Sequence, residues 1–235
     1  MLFFYIRHGH PTYRPDALTV LGQKQAEALA KRLSIYGIDR IFSSPSTRAI
    51  QTAQPTCDLL NKSMEIVDFA AERDAFRDFS IEKNGERMWL FADEKTRELF
   101  ADEHVISLGH KWYDHSEFLT YKKGIERISE ETFKFFKSLG YEHVRHTGKY
   151  KVIKSNDERV ALFAHQGFGL AFLSELLDIP YPTFVNHFNI CHSSMTVIEF
   201  KEENGFAIPK VLTLSSDSHI YREGLPTKYN NKIYF

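Results

Sequence analysis

Cysteine is scarce in this chain: Cys57 and Cys191 are the only two among 235 residues. Two cysteines without C-x-x-C spacing make no disulfide framework, and a reducing compartment fits them best. Long apolar runs are missing as well. The N-terminal run Met1-Leu2-Phe3-Phe4-Tyr5-Ile6 meets Arg7 and His8 at once, too early for a signal peptide or a membrane-spanning helix. The expectation is a cytoplasmic protein with no membrane attachment. Neither sign of charge is in excess, with 30 Lys and Arg against 31 Asp and Glu and a net charge of −1. That balance gives no bulk attraction to nucleic acid or to an anionic membrane, so any recognition of anions has to come from a local cluster of Arg and His. Internal repeats and low-complexity segments are also absent.

What remains is ordinary for a folded protein: 43% hydrophobic and 26% charged residues. Such a chain can bury one sizeable α/β core, with or without an insertion. Residues 2 to 6 read as a buried strand that empties into the polar turn Arg7-His8-Gly9-His10. Thr19 caps a helix over about 20 to 36, with Ala26, Leu29, Ala30 and Leu33 at helical spacing and Gly37 as its stop. Arg40-Ile41-Phe42 is a second short strand, and Pro45 then fits the first turn of a helix running to about Leu60. Met64 to Phe69 reads as a third strand. From about 75 to 115 the sequence is dense in charge and aromatics, including Trp89, Phe91 and Trp112, and lacks strand alternation. This predicts an inserted, mainly helical cap. An amphipathic helix over about 117 to 138 follows, with Ile125, Ile128, Phe133, Phe136 and Leu139 toward the core. Residues 143 to 158 read as an exposed connection or hairpin. Arg159 to Ala164 is a buried strand that delivers His165-Gln166-Gly167, and Met195 to Phe200 and Val211 to Leu214 are two further strands.

Two strands therefore end in a histidine and a glycine, and a third strand-turn-helix unit places Arg48 in a first helical turn. The positive end of a helix dipole favours an anion there. A strand-end Arg7 and His8 beside a glycine would bring side chains and backbone N–H groups onto one anion. Taken singly, each of these residues is equally at home on a solvated surface.

Together they resemble the histidine phosphatase superfamily, which includes the cofactor-dependent phosphoglycerate mutases and many small phosphatases. The matching pieces are Arg7-His8-Gly9, Leu18-Thr19 with Gly22, Gln25 and Ala26, Ser43-Ser44-Pro45 with Arg48, Ala49, Thr52 and Ala53, then Glu72, then Ala164-His165-Gln166-Gly167. They occur in the family's order from residue 2 to about 180. The resemblance implies a three-layer α/β/α sandwich with a mostly parallel central sheet, a single domain over 1–235 carrying the helical cap insertion. It further implies a covalent phosphohistidine on His8, a phosphate pocket of Arg7, Arg48 and His165, and a proton donor at Glu72. The usual glycine and tryptophan after that acid are replaced by Ala75-Phe76-Arg77, so Asp74 and Asp78 stand as rivals.

The physical reading agrees. Guanidinium groups near His8 disfavour its protonation, which leaves an imidazole nitrogen able to attack phosphorus while the same charges bind the dianion. No metal or other cofactor is expected. His110, Asp114 and His115 lie close in sequence, but no third ligand is fixed by their spacing, and a charged cap surface is the preferred reading. By resemblance His192 and His219 sit at the mouth of the site or behind it. Arg14 or Tyr13 would add a substrate contact from the loop between His10 and Ala17. That loop carries Pro11, Tyr13, Arg14 and Pro15 where family mutases have a tryptophan and an asparagine, which favours hydrolysis over phosphoryl return. The expected substrate is a phosphorylated small molecule, with a phosphoprotein left open and no nucleic acid or membrane partner. A phosphoglycerate mutase-type transferase and a noncatalytic phosphate-binding regulator are the competing classes.

Overall fold

Strand β1 (Leu2–Arg7) sends Phe3 and Tyr5 into one apolar cluster and Phe4 and Ile6 into another on the opposite side. A strand buried on both faces needs a continuous apolar run rather than an alternating one. The computed structural model describes residues 1–227. After β1 comes a hairpin of β2 (Pro11–Tyr13) and β3 (Asp16–Leu18), then α1 (Val20–Tyr36), β4 (Arg40–Ser43), α2 (Thr47–Leu60), β5 (Met64–Ile66) and α3 (Glu72–Asp78). A second hairpin of β6 (Ser80–Lys83) and β7 (Glu86–Trp89) leads through α4 (Glu94–Phe100) and α5 (Glu103–Leu108) to α6 (Lys122–Ser138). A third hairpin, β8 (Tyr141–Val144) and β9 (Lys149–Val152), precedes β10 (Arg159–Ala164), α7 (Gln166–Leu176) and α8 (Tyr181–His187). The chain continues through β11 (Met195–Glu199), the short β12 (Glu202–Glu203) and β13 (Phe206–Ala207), β14 (Lys210–Ser216) and α9 (Ser218–Arg222).

The central sheet has the order β14-β11-β1-β10-β4-β5. Its β1–β10, β10–β4 and β4–β5 pairs are parallel, and β11 runs antiparallel to both of its neighbours. Leu29 and Leu33 of α1 and Ala53 of α2 cover one face against Phe4, Ile6 and Phe163. On the other face Phe136 of α6 and Phe172 of α7 pack on Phe3 and Tyr5. The result is the expected three-layer α/β/α sandwich around a mostly parallel sheet.

Several local expectations change. Within 75–115 the helices are short and a β-hairpin is present, because Asn84 and Gly85 both take the positive φ that a two-residue hairpin turn requires. Phe79, Phe100, Trp112 and Phe118 are continuous with the cluster on the α6–α7 face of the sheet, and Trp112 stacks on Tyr181 of α8. Helix α2 begins after an N-cap at Ser46, so Pro45 lies outside it. Helix α6 begins at Lys122 rather than 117, and Phe133 is half-buried with its ring flat on His143 at a centroid distance of 3.7 Å.

Candidate active site

The register of β1 on β10 pairs Arg7 with Ala164, so the next residues, His8 and His165, leave the sheet side by side. The His8 backbone N–H donates to the carbonyl of Ala164 at 3.0 Å, and the two imidazole centroids are 5.1 Å apart. Strand β4 lies on the other side of β10 and delivers Ser44 and, in the first turn of α2, Arg48. His8, His165, Arg7 and Arg48 are all at least nine-tenths buried. Thr52, one turn further along α2, accepts from Gly9 N at 3.0 Å and donates to the carbonyl of Arg48 at 2.7 Å. The Gly9 N–H is therefore committed to Thr52 and does not line an anion cradle, contrary to the sequence expectation. The glycine is needed for close approach: a Cβ at Gly9 would lie 2.7 Å from the Gly22 carbonyl oxygen, and one at Gly22 would lie 2.2 Å from that of His10. Any larger residue would push α1 away from the loop that carries His8.

Hydrogen bonds determine the tautomers. A guanidinium can only donate, so Arg48 Nε, 3.3 Å from His8 Nε2, faces a lone pair. The proton of His8 then sits on Nδ1, which donates to the Gly9 carbonyl at 2.8 Å. By the same logic Arg48 Nη2 donates to His165 Nδ1 at 3.1 Å, and His165 Nε2 donates to Ser44 Oγ at 2.7 Å. Burial, followed by the neighbouring His165 and Arg7, holds the His8 pKa well below the ordinary imidazole value. His165 is lowered well below it too, by burial first and then by Arg48 and Arg7. Both rings are neutral, and His8 Nε2 is an unprotonated nitrogen close to the guanidinium of Arg48.

Arg7 donates from Nη1 to the carbonyl of Ile190 at 2.6 Å and from Nη2 to His192 Nε2 at 2.7 Å. Its Nε is buried without a partner among the described residues. His192 thus stands in the site, 5.4 Å from the His8 ring centroid, and burial and Arg7 push its pKa down to about 3. His219 lies behind it, with Nε2 3.1 Å from the hydroxyl of Ser193, and the Ser193 N–H donates to the carbonyl of His8 at 2.9 Å. This histidine touches the loop that holds His8 rather than the hollow.

Glu72 opens α3 and reaches the first turn of α7, where its two carboxylate oxygens accept from Gly167 N at 3.0 Å and Phe168 N at 2.8 Å. Those two helix-end donors, like that of Gly9, are therefore already committed. Burial raises the Glu72 pKa against the lowering effect of these bonds. Glu72 lines the same hollow as His8. Asp74 and Asp78 do not line it: Asp74 is paired with Arg77 at 2.8 Å, and Asp78 with Arg77 and Arg127. Arg14 is exposed at the tip of the β2–β3 hairpin and does not line the hollow, whereas Tyr13 does, with Arg48 5.4 Å from its ring centroid.

Asp16 belongs to the site and was not anticipated from the sequence. The hairpin pairs it with Tyr13, and its carboxylate accepts from Arg48 Nη1 at 2.6 Å and from Thr47 N at 2.9 Å. The surrounding hollow has a volume of about 660 Å³ and is bounded by Phe76 and Trp89 on one side. Trp89 lies so close over Gly167 that a Cβ there would come within 2.1 Å of its ring. The guanidiniums of Arg7 and Arg48, the neutral imidazole of His8 and the half-buried Glu72 thus border a space large enough for a phosphate ester.

Residues 3–87 match the family described as "Histidine phosphatase superfamily (branch 1)". No curated protein matches the chain. Among solved structures, a phosphoserine phosphatase from Entamoeba histolytica in complex with 3-phosphoglyceric acid is similar, with 19% identity and a TM-score of 0.59 over 93% of this chain and 98% of that one. A mycobacterial glucosyl-3-phosphoglycerate phosphatase has 16% identity and a TM-score of 0.58 over 92% and 98%. An Escherichia coli K-12 protein described as a putative alpha-ribazole-5'-P phosphatase has 18% identity and a TM-score of 0.57 over the same shares. At these identities the structures speak for the fold. The chain is thus similar to that family in sequence over residues 3–87, and over more than nine-tenths of its length it shares the fold of these structures.

Proposed function

We propose that this protein hydrolyses phosphate monoesters through a phosphohistidine on His8. The observation that carries the reading is the unprotonated Nε2 of His8 in a hollow lined by Arg7, Arg48 and Glu72, with the His165 ring 5.1 Å from that of His8. In the first step Nε2 attacks phosphorus, the ester P–O bond breaks, and the leaving oxygen takes its electron pair and a proton from Glu72. In the second step Glu72 takes a proton from water, the water oxygen attacks phosphorus, and the N–P bond breaks to release inorganic phosphate and neutral His8. Arg7, Arg48 and His165 hold the equatorial oxygens, on which charge spreads in the in-line transition state. The unpartnered Nε of Arg7 supports this assignment.

A small phosphorylated metabolite fits best, since the similar structures bear the names of phosphatases of small molecules. Phosphoproteins are the second class. Residues 75–115 act in this reading as a cap, with Phe76 and Trp89 contacting the organic leaving group and His192 and His219 supporting Arg7 and the His8 loop. Among the described residues no helix is long and apolar enough to cross a membrane, and with both cysteines unpaired we place the enzyme in the cytoplasm. The test is release of inorganic phosphate from p-nitrophenyl phosphate with chelator present. No turnover from mildly acidic to neutral pH would leave a phosphate binder, and predominant transfer between monophosphoglycerates would make the protein a mutase.

Asp16 opposes the incoming dianion and occupies one Arg48 nitrogen. Its pair with Arg48 is only partly buried, so the expected effect is modest, about 1 kcal/mol or about 5-fold. Asp16→Asn should lower the inhibition constant of inorganic phosphate by about that factor. A raised constant would instead make Asp16 the residue that orients Arg48.

A further inference from the structure

At the far end of α7 from Glu72, on the order of 18 Å along the helix, lies a second hollow of about 350 Å³ that shares no residue with the first. It gathers His110, from the turn after α5, His146, from the β8–β9 turn, and Asp178, two residues beyond α7. One ligand atom from each of the three lies within 4.8 Å of the others, and the two imidazole centroids are 4.7 Å apart. We infer that His110, His146 and Asp178 form a zinc-binding site, with water in the fourth position.

The carboxylate is held as a metal ligand would be. Asp178 Oδ2 accepts from His143 Nε2 at 2.9 Å, Thr147 N at 3.0 Å and Gly148 N at 2.7 Å. Three donors on one oxygen fix the group in orientation and leave Oδ1 for an ion, the arrangement that orients metal-binding carboxylates elsewhere. His143 is itself locked: its side chain is 3% exposed, it stacks on Phe133, and its Nδ1 is buried with no partner among the described residues. That imidazole lines the same hollow.

Two imidazoles and one carboxylate suit zinc among the common divalent ions, whereas magnesium and calcium take oxygen ligands. Tetrahedral zinc with bonds of about 2.1 Å needs its ligand atoms about 3.4 Å apart, a contraction that the exposed His146 side chain is placed to supply. The site differs from the sequence suspicion about His110, Asp114 and His115. His110 contributes, but His115 caps the following turn and packs at a tilt against His104 and Phe118. Zinc here would tie the 75–115 region and the β8–β9 hairpin to the end of α7, so its effect falls on stability rather than on the phosphate pocket.

The experiment is calorimetric titration of chelator-treated full-length protein with zinc chloride, repeated with cobalt chloride and visible spectroscopy. The wild type should bind one ion more tightly than about 10 µM, with a rise in Tm of about 5 °C at saturation, and Co²⁺ should give tetrahedral absorption. His146→Gly suits the left-handed backbone at that position and should weaken binding at least 10-fold, as should His110→Ala, while His8→Ala should leave it unchanged. Binding no tighter than about 0.1 mM, unaltered binding in His146→Gly and His110→Ala, or loss in His8→Ala alone would each overturn the site.

Discussion

His8→Ala is expected to lower turnover of any phosphate monoester by on the order of 10⁴-fold or more, and to abolish covalent labelling by a ³²P-labelled substrate. The reason lies in the division of labour at the site. Arg7, Arg48 and His165 can bind a phosphoryl group and stabilise its charge, but no other group in the hollow is placed as His8 Nε2 is. His165 is neutral too, yet its Nδ1 accepts from Arg48 at 3.1 Å, its Nε2 donates to Ser44 at 2.7 Å and its side chain does not line the hollow, whereas His8 does line it and meets Arg48 Nε only at the longer 3.3 Å. The label on the wild type should be acid-labile and stable to base, as a phosphoramidate is. Affinity for inorganic phosphate should survive in the variant, because both guanidiniums remain. A loss of only about tenfold, or a label that persists and maps to His165, would move the nucleophile. The lowered pKa of His8 adds a pH signature. A group whose pKa is depressed stays neutral until the pH falls through that lowered value, so protonation of His8 should not limit activity in mildly acidic solution.

The parts of this site that were legible in the sequence are those whose physics is local. A strand buried on both faces must be apolar throughout, so Leu2–Arg7 and Arg159–Ala164 stood out, and the polar residues at their ends were exposed as chemistry. The pairing of those two strands, on which the meeting of His8 and His165 depends, is set by the parallel register of β1 on β10. What was hidden depends on contacts between distant segments. Asp16 reaches Arg48 only because the hairpin pairs it with Tyr13 and folds it over α2. The Gly9 N–H looked available for an anion because its acceptor, Thr52, is 43 residues away. His110, His146 and Asp178 come from three elements and share no spacing rule. The β6–β7 hairpin is the opposite case: its Asn84-Gly85 turn signal was present, and the charge-rich texture around it concealed the two short strands.

Glu72→Gln is expected to separate substrates by their leaving groups. An alkyl alkoxide needs a proton as the P–O bond breaks, and removing a positioned general acid costs about 10²- to 10⁴-fold in kcat. An aryl phosphate leaves as a stabilised phenolate, so its loss should be about tenfold or less at the bond-breaking step. Equal losses on both substrate kinds would take the acid role from Glu72. Asp74 and Asp78, as the sequence rivals, are held in ion pairs away from the hollow. The pH profile gives an independent check whose sign follows from the environment of the group. Burial raises the Glu72 pKa, while the N–H groups of Phe168 and Gly167 and the charges of Arg48 and Arg7 lower it, and burial prevails. Arrival of a phosphate dianion beside the carboxylate would raise it further. The acid form is present below that elevated value and is lost as the pH rises through it. Turnover of alkyl phosphates should therefore fall on the alkaline side, the aryl substrate should fall less steeply, and Glu72→Gln should remove the difference between the two slopes. An alkaline limb that persists in the variant with its position and steepness unchanged would belong to another group.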